Sequence, residues 1–416
     1  MTGSRPWRQQ VSPRITPDEA RFSEFTGVVN TRSRRDVGLK ALYVGDNVVI
    51  SDTKKVVRRD GYSVVRSTGT VQSVYGDTGD LYVIDAGNLI RVAGGDQVLT
   101  TGLSNGAYVW DSINDDAYFV NGIDAGIARG SSYLPWRLTT PTVSAVVALS
   151  AATPANTLNV GETYVNATFR VLATFETADG RETAPSEIIE LVAPPTTDLI
   201  RVVLSQGYDR TNVYCTEPDG TVFRLVASTT STTITFNPQR GVREFTNLGT
   251  MSLPDGVSHV SFYKGYCAVG QYLPALRTSV VWTSKPFAYH LFDTEKDFRT
   301  VPGQLGLLLC NTKGVLIGTT SRIYQWHTDT DELEELADYG VVPGVAGDID
   351  AQGKAFFWTV RGMCSAYPFA NITENNVSMA PGARAVASLV YLNGMQQFIA
   401  VTQGGGNPFN SRRERT

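Results

Sequence analysis

The amino-acid sequence predicts an all-β protein, in which a β-propeller-like domain is interrupted by an inserted immunoglobulin/fibronectin-like β-sandwich. Three observations predict this fold class. Short runs alternate apolar and polar residues, tight turns separate these runs, and helical periodicity is almost absent. Strict alternation is typical of half-buried strands, whereas a helix repeats its apolar residues every three to four positions. We expect at most one short helix, at Asp331–Asp338.

Paired β-rich runs around two-residue turns predict hairpins along the chain. Such turns stand at Asn121-Gly122, Arg361-Gly362 and Asn393-Gly394, and this combination is the strongest short-range hairpin signal. The hairpins recur at about the 40-residue period of a propeller blade. We expect blade-like units at Ser73–Gly102, Ala107–Leu138, Val257–Pro302, Gly306–Val342, Gly344–Pro381 and Arg384–Gln403.

The pattern of apolar and polar residues changes between residues 139 and 249. Longer alternating runs appear there, the longest at Tyr164–Thr177, and prolines and threonines bound them. About seven short strands in roughly 100 residues is the pattern of an immunoglobulin-like sandwich. A domain inserted at a surface loop is tolerated because its two ends lie at the surface.

These patterns divide the chain into five segments. Both ends look like arms, which order only against a partner. The predicted segments are an N-terminal arm (1–38), the first part of the propeller (39–138), the sandwich (139–249), the second part of the propeller (250–403) and a flexible basic tail (404–416).

Composition argues against a dedicated nucleic-acid or membrane protein. Lys and Arg number 36 against 40 Asp and Glu, which gives a net charge of -4, whereas nucleic-acid binders are usually basic. Charged residues make up 18% of the chain, below the ~25% that is typical, so much surface should be buried or interfacial. The longest apolar stretch, Val143–Ala152, is too short for a membrane-spanning helix. We therefore expect no membrane anchoring.

Cysteine and histidine spacing gives no sign of a metal, a cofactor or a hydrolase. The four cysteines are far apart and form no Cys-x-x-Cys pair, so we expect small buried side chains rather than a zinc site. No Gly-x-Ser-x-Gly elbow is present. We expect His290 to be structural. We predict no catalytic, cofactor-binding or metal-binding residues, and no cofactor.

Acidic residues suggest two alternatives, a calcium-binding loop and a glycosidase active site. Asp329, Asp331 and Glu334 stand close together, but an EF-hand loop needs Gly where Glu334 stands, so a turn or helix cap is favoured. A glycosidase needs two carboxylates across a cleft, and the sequence alone pairs none. The glycosidase alternative therefore stays open, although a non-enzymatic protein is the favoured prediction.

Clusters of basic residues are the candidate contact sites. They could contact DNA phosphates or an acidic neighbouring subunit, or they could simply be solvated. For Arg58 and Arg59, which follow Lys54 and Lys55, we favour a contact with a neighbouring subunit or ring. The candidate residues are Arg32, Arg34, Arg35, Arg58, Arg59, Arg412, Arg413 and Arg415.

Three fragments resemble bacteriophage tail hub and nozzle (tail tubular) proteins, and they occur in the order found in that family. Leu39–Val65 resembles a pattern near the start of the family's propeller, although Asp60 stands where Pro is common. The other two fragments are Thr183–Glu187 with Asn212–Tyr214 and Asp219-Gly220, similar to the family's inserted sandwich, and Val280–Asp293, similar to an "rwS.P.....F" element. The residues matching the first fragment are Val48, Val49, Asp52, Val56, Arg58, Arg59, Gly61 and Tyr62, and those matching the last are Trp282, Ser284, Pro286, Tyr289, Phe292 and Asp293.

The resemblance implies a structural virion protein of a short bacteriophage tail, assembled in the bacterial host cytoplasm. It implies a homo-oligomeric ring, usually a hexamer, which forms part of the DNA-ejection channel. Its partners would be copies of itself, adjacent tail, adaptor and fibre proteins, and DNA in transient passage. Two alternatives remain, a tail-tip protein that binds or cleaves glycans and a cellular propeller module for protein partners.

Overall fold

The computed structural model describes residues 27–29, 31, 41–42, 48–50, 54–58, 70–76, 79–92, 95–149, 166–193, 199–238, 241–263, 265–375, 377, 381–392 and 395–404. Their regular structure is built of β-strands in small, mostly antiparallel sheets, which confirms the predicted all-β class. The described ranges contain no helix of the length and apolarity that crossing a membrane requires. The chain divides into two compact units, residues 1–64 with 373–378, and residues 65–372 with 379–416.

The described residues of the smaller unit form two short strand pairs. Its first pair is parallel and its second is an antiparallel hairpin. The hydroxyl of Thr31 donates a hydrogen bond of 2.8 Å to the carbonyl of Asn375, which ties the late segment to the N-terminal one. The strands are β1 (Gly27–Val28), β2 (Ala41–Leu42), β3 (Val48–Ile50) and β4 (Val56–Arg58).

Six antiparallel sheets follow one another in the larger unit, and each falls within or beside one predicted blade. The first two are β5 (Val71–Gly76), β6 (Leu81–Asp85), β7 (Asn88–Val92) and β8 (Asp96–Thr100), and then β9 (Val109–Ile113), β10 (Asp116–Val120), β11 (Ala125–Arg129) and β12 (Ser132–Pro135).

The other four sheets follow a long interruption. The third contains β20 (His259–Tyr263), β21 (Tyr266–Leu273), β22 (Thr278–Lys285), β23 (Ala288–Phe292) and β24 (Phe298–Pro302). The fourth contains β25 (Leu305–Asn311), β26 (Gly314–Thr319), β27 (Ile323–His327) and β28 (Glu332–Ala337). The fifth contains β29 (Gly347–Ile349), β30 (Ala355–Thr359), β31 (Gly362–Ala366) and β32 (Ala370–Asn371), and the sixth β33 (Arg384–Leu392) and β34 (Met395–Gln403).

Hydrophobic cores between successive sheets make this arrangement propeller-like. Each of five cores combines side chains from two sheets that follow one another in the unit. The inner strand β26, for example, is buried along its whole length because sheets cover both of its faces. Face-to-face burial of this kind explains why the apolar runs in the inner strands are nearly continuous rather than alternating.

The acidic stretch at Asp331–Asp338 is not a helix, contrary to the expectation from its sequence. Residues Glu332–Ala337 form β28, the outer strand of the fourth sheet, and pair with β27. Glu, Leu and Ala favour helices only weakly, by a few tenths of a kcal/mol per residue. Pairing with a buried neighbouring strand outweighs that preference.

The interruption between the second and third sheets is a two-sheet insert. One sheet has the order β13-β16-β19 and the other β15-β14-β17-β18. Both sheets contribute to one core, which includes Phe169, Ile200 and Val213. The strands are β13 (Val143–Leu149), β14 (Thr168–Glu176), β15 (Ile189–Val192), β16 (Leu199–Leu204), β17 (Arg210–Thr216), β18 (Phe223–Thr229) and β19 (Thr233–Phe236).

The chain enters and leaves the insert at one place. The guanidinium of Arg137 donates hydrogen bonds to the carbonyls of Leu253 (3.2 Å) and Pro254 (2.9 Å), across more than a hundred residues of sequence. The hydroxyl of Ser252 donates to the carbonyl of Leu138 beside them. The entry and exit segments are thus fastened to each other at the edge of the propeller-like body.

Candidate functional site

A cavity of about 1660 Å³ runs along the centre of the larger unit. The first strands of all six sheets contribute to its lining, as expected for the axis of a propeller-like body. Its polar lining includes the carboxyl groups of Asp111, Asp348 and Asp350, the imidazole of His259 and the guanidinium of Arg384. The lining is therefore more acidic than basic.

Polar side chains on the first strands fasten neighbouring sheets to each other. Asp111 on β9 accepts a hydrogen bond of 2.7 Å from the backbone N–H of Phe262 on β20. The hydroxyl of Ser261, also on β20, accepts one of 2.9 Å from the N–H of Cys310 on β25. Each side chain therefore satisfies a donor that the facing strand would otherwise bury unpaired, which costs free energy.

Asp348 makes the same kind of link between the fifth and sixth sheets. Its carboxylate on β29 accepts hydrogen bonds from the backbone N–H of Leu389 (2.8 Å) and from the hydroxyl of Ser388 (2.9 Å), both on β33. Asp111, Ser261 and Asp348 are not among the residues predicted from the sequence. A usable signal was present, since each is a polar residue inside a short and otherwise mostly apolar strand.

Burial shifts two ionisable groups of the cavity in opposite directions. Burial raises the pKa of Asp111 to about 6, although the N–H groups of Phe262 and Ser112 partly oppose the shift. Burial lowers the pKa of His259 to about 4, against a hydrogen bond to the backbone of Gly306. The nearby negative charge of Asp348 raises the pKa of Asp111 further. Their oxygens are, however, already engaged with backbone donors.

The acidic residues that were considered as ligands of a calcium ion form hydrogen bonds and ion pairs with different groups. Asp331 accepts a hydrogen bond of 3.1 Å from the indole of Trp326 and pairs with Arg299. Glu334 accepts one of 2.5 Å from the hydroxyl of Tyr367 and lies 3.0 Å from Nε2 of His327. Among the described residues, no group of three acidic, histidine or cysteine side chains could hold a metal ion. All four cysteines are buried, as predicted.

The second notable site is the joint between the insert and the propeller-like body. His290 on β23 is buried, and its Nε2–H donates a hydrogen bond of 2.8 Å to the carbonyl of Glu182 in the insert. Burial lowers the pKa of His290 to about 4, and the nearby Arg181 charge lowers it further, against the hydrogen bond to Glu182. The imidazole is therefore neutral at pH 7.

The side chain of Glu182 organises the insert next to that joint. It accepts hydrogen bonds from the hydroxyls of Tyr214 (2.5 Å) and Thr174 (2.5 Å), the amide of Asn212 (3.3 Å) and the guanidinium of Arg243 (3.2 Å). Such a fully bonded acceptor fixes the mutual position of β14 and β17.

Ionic contacts also stabilise the joint between the insert and the propeller-like body. Arg181 pairs with Asp179 at 2.7 Å and donates a hydrogen bond of 2.9 Å to the carbonyl of Pro135 on β12. Arg129 on β11 pairs with Asp116 at 2.6 Å and reaches Asp179 at 3.5 Å. Asp179 and Arg181 are mostly buried, so solvent screens their pairing only weakly.

Two of the fragments that carry the family resemblance lie next to this joint in the sequence. The Thr183–Glu187 fragment follows Glu182 directly, and the Val280–Asp293 fragment contains His290. The two are about a hundred residues apart in the sequence. In the same region, the indole of Trp136 donates a hydrogen bond of 3.0 Å to the carbonyl of Tyr289.

Of the predicted contact residues, the structure describes one. Arg58 ends β4, where it pairs with Val48, and its side chain is exposed. The other predicted contact residues lie outside the described residues: Arg32, Arg34, Arg35, Arg59, Arg412, Arg413 and Arg415.

Comparisons with known proteins give the following findings. No protein-family model and no curated protein matches the chain. Similar solved structures include the extracellular domain described as part of a hybrid two-component system from B. thetaiotaomicron (14% identity, 75% of this chain and 33% of that chain, TM-score 0.29). They also include a protein described as a 6-phosphogluconolactonase from Bacteroides fragilis (9%, 84% and 91%, 0.33) and YCF48 bound to a D1 peptide (8%, 81% and 92%, 0.30).

The first of these structures is much longer than this chain, which spans about a third of its length. With TM-scores between 0.29 and 0.33 and identities between 8% and 14%, none of these likenesses supports a conclusion about function.

Proposed function

We propose that this chain is a structural protein of a short bacteriophage tail, and that copies of it form a ring that is part of the DNA-ejection channel. The observation that carries the proposal is the joint between insert and propeller-like body. There, His290 in the fragment Val280–Asp293 is hydrogen-bonded to Glu182, the residue that directly precedes the fragment Thr183–Glu187.

The residues of these fragments also have structural tasks that suit a framework protein. The hydroxyls of Thr183 and Ser186 accept hydrogen bonds from the backbone N–H groups of Phe175 (2.9 Å) and Ala173 (3.0 Å). Ser284 accepts one from the N–H of Cys267 (3.0 Å). These side chains hold strands in place, which is the role expected of a rigid ring component.

We propose that the insert is an immunoglobulin/fibronectin-like sandwich. Its strands β14, β17 and β18 lie side by side, as strands C, F and G do in that fold, and β13 pairs with β16 as B pairs with E. The shared core between the two sheets supports the same proposal.

DNA would pass through the lumen enclosed by the copies rather than through the cavity of one chain. The carboxylates of Asp348 and Asp350 in that cavity repel phosphates at short range. A lumen with few cations suits a conduit, because each phosphate neutralised by Lys or Arg strengthens binding and slows passage. The neighbours in this proposal are tail, adaptor and fibre proteins, and the location is the virion tail.

The mass of the purified protein in solution tests this proposal. Light scattering should give about six times the chain mass of 45.2 kDa, and negative-stain images of that peak should show a ring with a central hole. A ring of this kind buries on the order of 2,000 Å² per contact. A protein that remains a monomer at high concentration would contradict the proposal.

A tail-tip protein that binds or cleaves glycans is the second candidate. It is favoured by two carboxyl groups in one cavity, Asp111 and Asp348, of which Asp111 has a pKa of about 6. Their hydrogen bonds to backbone donors favour the framework role instead. Binding to a glycan array that the Asp111→Asn variant loses would support this candidate, and an array without signals would oppose it.

A further inference from the structure

Two Asn-Gly pairs of the larger unit, Asn105-Gly106 and Asn121-Gly122, differ in how the structure holds them. Asparagine is chemically labile, most of all before glycine, because the backbone nitrogen of the glycine can attack the side-chain carbonyl carbon of the asparagine. Glycine has no Cβ to hinder this approach and leaves the backbone free to turn. Whether a folded chain allows the reaction therefore depends on the hydrogen bonds of each pair.

Hydrogen bonds hold both reacting groups of Asn121-Gly122. The side-chain oxygen of Asn121 accepts hydrogen bonds from the backbone N–H groups of Ile123 (2.9 Å) and Asp124 (2.7 Å). The N–H of Gly122 donates one of 2.8 Å to the carbonyl of Val257. The glycine nitrogen is thus engaged with a distant segment of the chain, and these hydrogen bonds must break before it can attack.

The pair Asn105-Gly106 is exposed and less restrained. It lies in the loop between β8 and β9. Within the part of the chain that the structure describes, the N–H of Gly106 forms no hydrogen bond. The amide of Gln72 donates a hydrogen bond to Oδ1 of Asn105. This contact leaves the carbonyl carbon open, and a donor on that oxygen stabilises the negative charge that develops there during the attack.

We propose that Asn105 is a site of spontaneous deamidation in the folded protein, and that the fold protects Asn121. The nitrogen of Gly106 forms a bond to Cγ of Asn105, and the bond from Cγ to Nδ2 breaks. The proton of the Gly106 N–H passes through water to Nδ2, which leaves as ammonia. A second water molecule then opens the cyclic imide at either carbonyl and leaves aspartate or isoaspartate.

The product places a new carboxylate beside the central cavity. Gln72 and Gly106 both line that cavity, whose lining is already more acidic than basic. The isoaspartate product also adds one methylene group to the backbone just before Gly106. The reaction therefore changes both the charge and the shape of one loop at the cavity, and it does not depend on a ring of copies.

Peptide mapping of the full chain after storage at mildly alkaline pH tests the proposal. Chymotrypsin separates the two asparagines by cleavage after Tyr108 and Trp110. Mass spectrometry should show the change from amide to acid about tenfold or more faster at Asn105 than at Asn121, where several hydrogen bonds must break first. A sample digested without storage corrects for deamidation during digestion. The third Asn-Gly pair, at 393–394, lies outside the described residues and is read on a different peptide.

Storage in urea is the control for the sequence itself. Unfolding releases both pairs from their hydrogen bonds, so the two rates should become similar. In the Asn105→Gln variant the peptide should keep its mass, because the longer side chain closes a larger ring only slowly. An Asn121 that reacts as fast as Asn105 in the folded protein would overturn the proposal. So would an Asn105 that stays intact in the folded protein while the chain in urea is deamidated there.

Discussion

At the residue scale, single polar side chains determine how strands that are distant in the sequence come together. Asp111 and Ser261 accept backbone N–H groups from the next sheet, and the carbonyl of Glu182 accepts the imidazole N–H of His290. Apolar packing alone tolerates many arrangements, whereas a buried donor needs its acceptor within about 3 Å. These side chains therefore select one arrangement of the sheets over near alternatives.

The pKa of His290 predicts a loss of stability in acid. The unfolded imidazole takes up a proton near its ordinary pKa of 6.5, whereas the folded one resists until about pH 4. The contribution of His290 is therefore complete above pH 6.5 and is lost as the pH falls towards 4. This loss amounts to at most about 3 kcal/mol.

The His290→Asn variant isolates this effect in urea unfolding at pH 7 and pH 4.5. The variant should be less stable at pH 7 but should lose less stability between the two pH values than the original protein. His259, whose pKa is also lowered to about 4, remains in both proteins, as does Asp111, whose pKa is raised to about 6 and which acts in the opposite direction over this pH range. Parallel pH profiles for the two proteins would show that His290 does not titrate as described.

Much of the sheet structure could be predicted from the sequence, and the joint could not. The hairpin predicted at Asn121-Gly122 is present, with a loop of residues 121–124 between β10 and β11, because a turn signal of this kind acts mainly within its own segment. His290 was expected to be structural, and it is buried and hydrogen-bonded. Its partner, Glu182, was missed because a contact across about a hundred residues leaves no local pattern. Asp111 and Asp348 could have been noticed as isolated polar residues, but not their partners.

At the element scale, the environment of a segment decides its structure where local preference is weak. The run Glu332–Ala337 has the composition of a helix and forms β28. Leu333 lies opposite Trp326 of β27, and Tyr367 donates to Glu334. The segment after Glu182 is extended and lies beside β14. It is held there by the hydroxyl groups of Thr183 and Ser186 as well as by backbone hydrogen bonds.

The Ser186→Ala variant measures what these hydroxyl groups contribute. Removing the hydroxyl of Ser186 leaves the buried N–H of Ala173 without its acceptor, the Oγ atom 3.0 Å away. Because an unsatisfied buried donor is costly, we expect the free energy of unfolding to fall by about 1–3 kcal/mol. Ser231→Ala, in an exposed turn of the same insert, should change it by less than about 0.5 kcal/mol. If both substitutions lowered the free energy of unfolding equally, the hydroxyl of Ser186 would have no special role in holding the segment beside β14.

At the scale of the larger unit, the insert and the propeller-like body are joined by polar contacts rather than by a shared apolar core. Asp179 and Arg181 are 13% and 14% exposed, and they connect to Pro135 and Arg129. Charged contacts have strict distance and angle requirements. We therefore expect the insert to keep one orientation, which a ring of identical copies would need.

The Asp179→Ala variant should loosen this joint. It leaves the mostly buried Arg181 without its partner at 2.7 Å, and we expect a loss of about 2–3 kcal/mol. Hydrogen exchange should accelerate near Pro135 and Glu182, while the core of the fourth sheet stays protected. Glu217→Ala is the control, since its pairing with Arg224 at 3.8 Å is exposed and should contribute little. Unchanged exchange at the joint in Asp179→Ala would refute this account.

The shared entry and exit of the insert has a mechanical consequence. A pull on the insert reaches the rest of the unit through its two chain connections, and also through the hydrogen bonds of Arg137 and the contacts of Asp179 and His290. Arg137 holds two carbonyls of the returning segment, so this load reaches both chain segments at once. A force that separates the insert from the propeller-like body must therefore break the hydrogen bonds of Arg137 at the base of the insert.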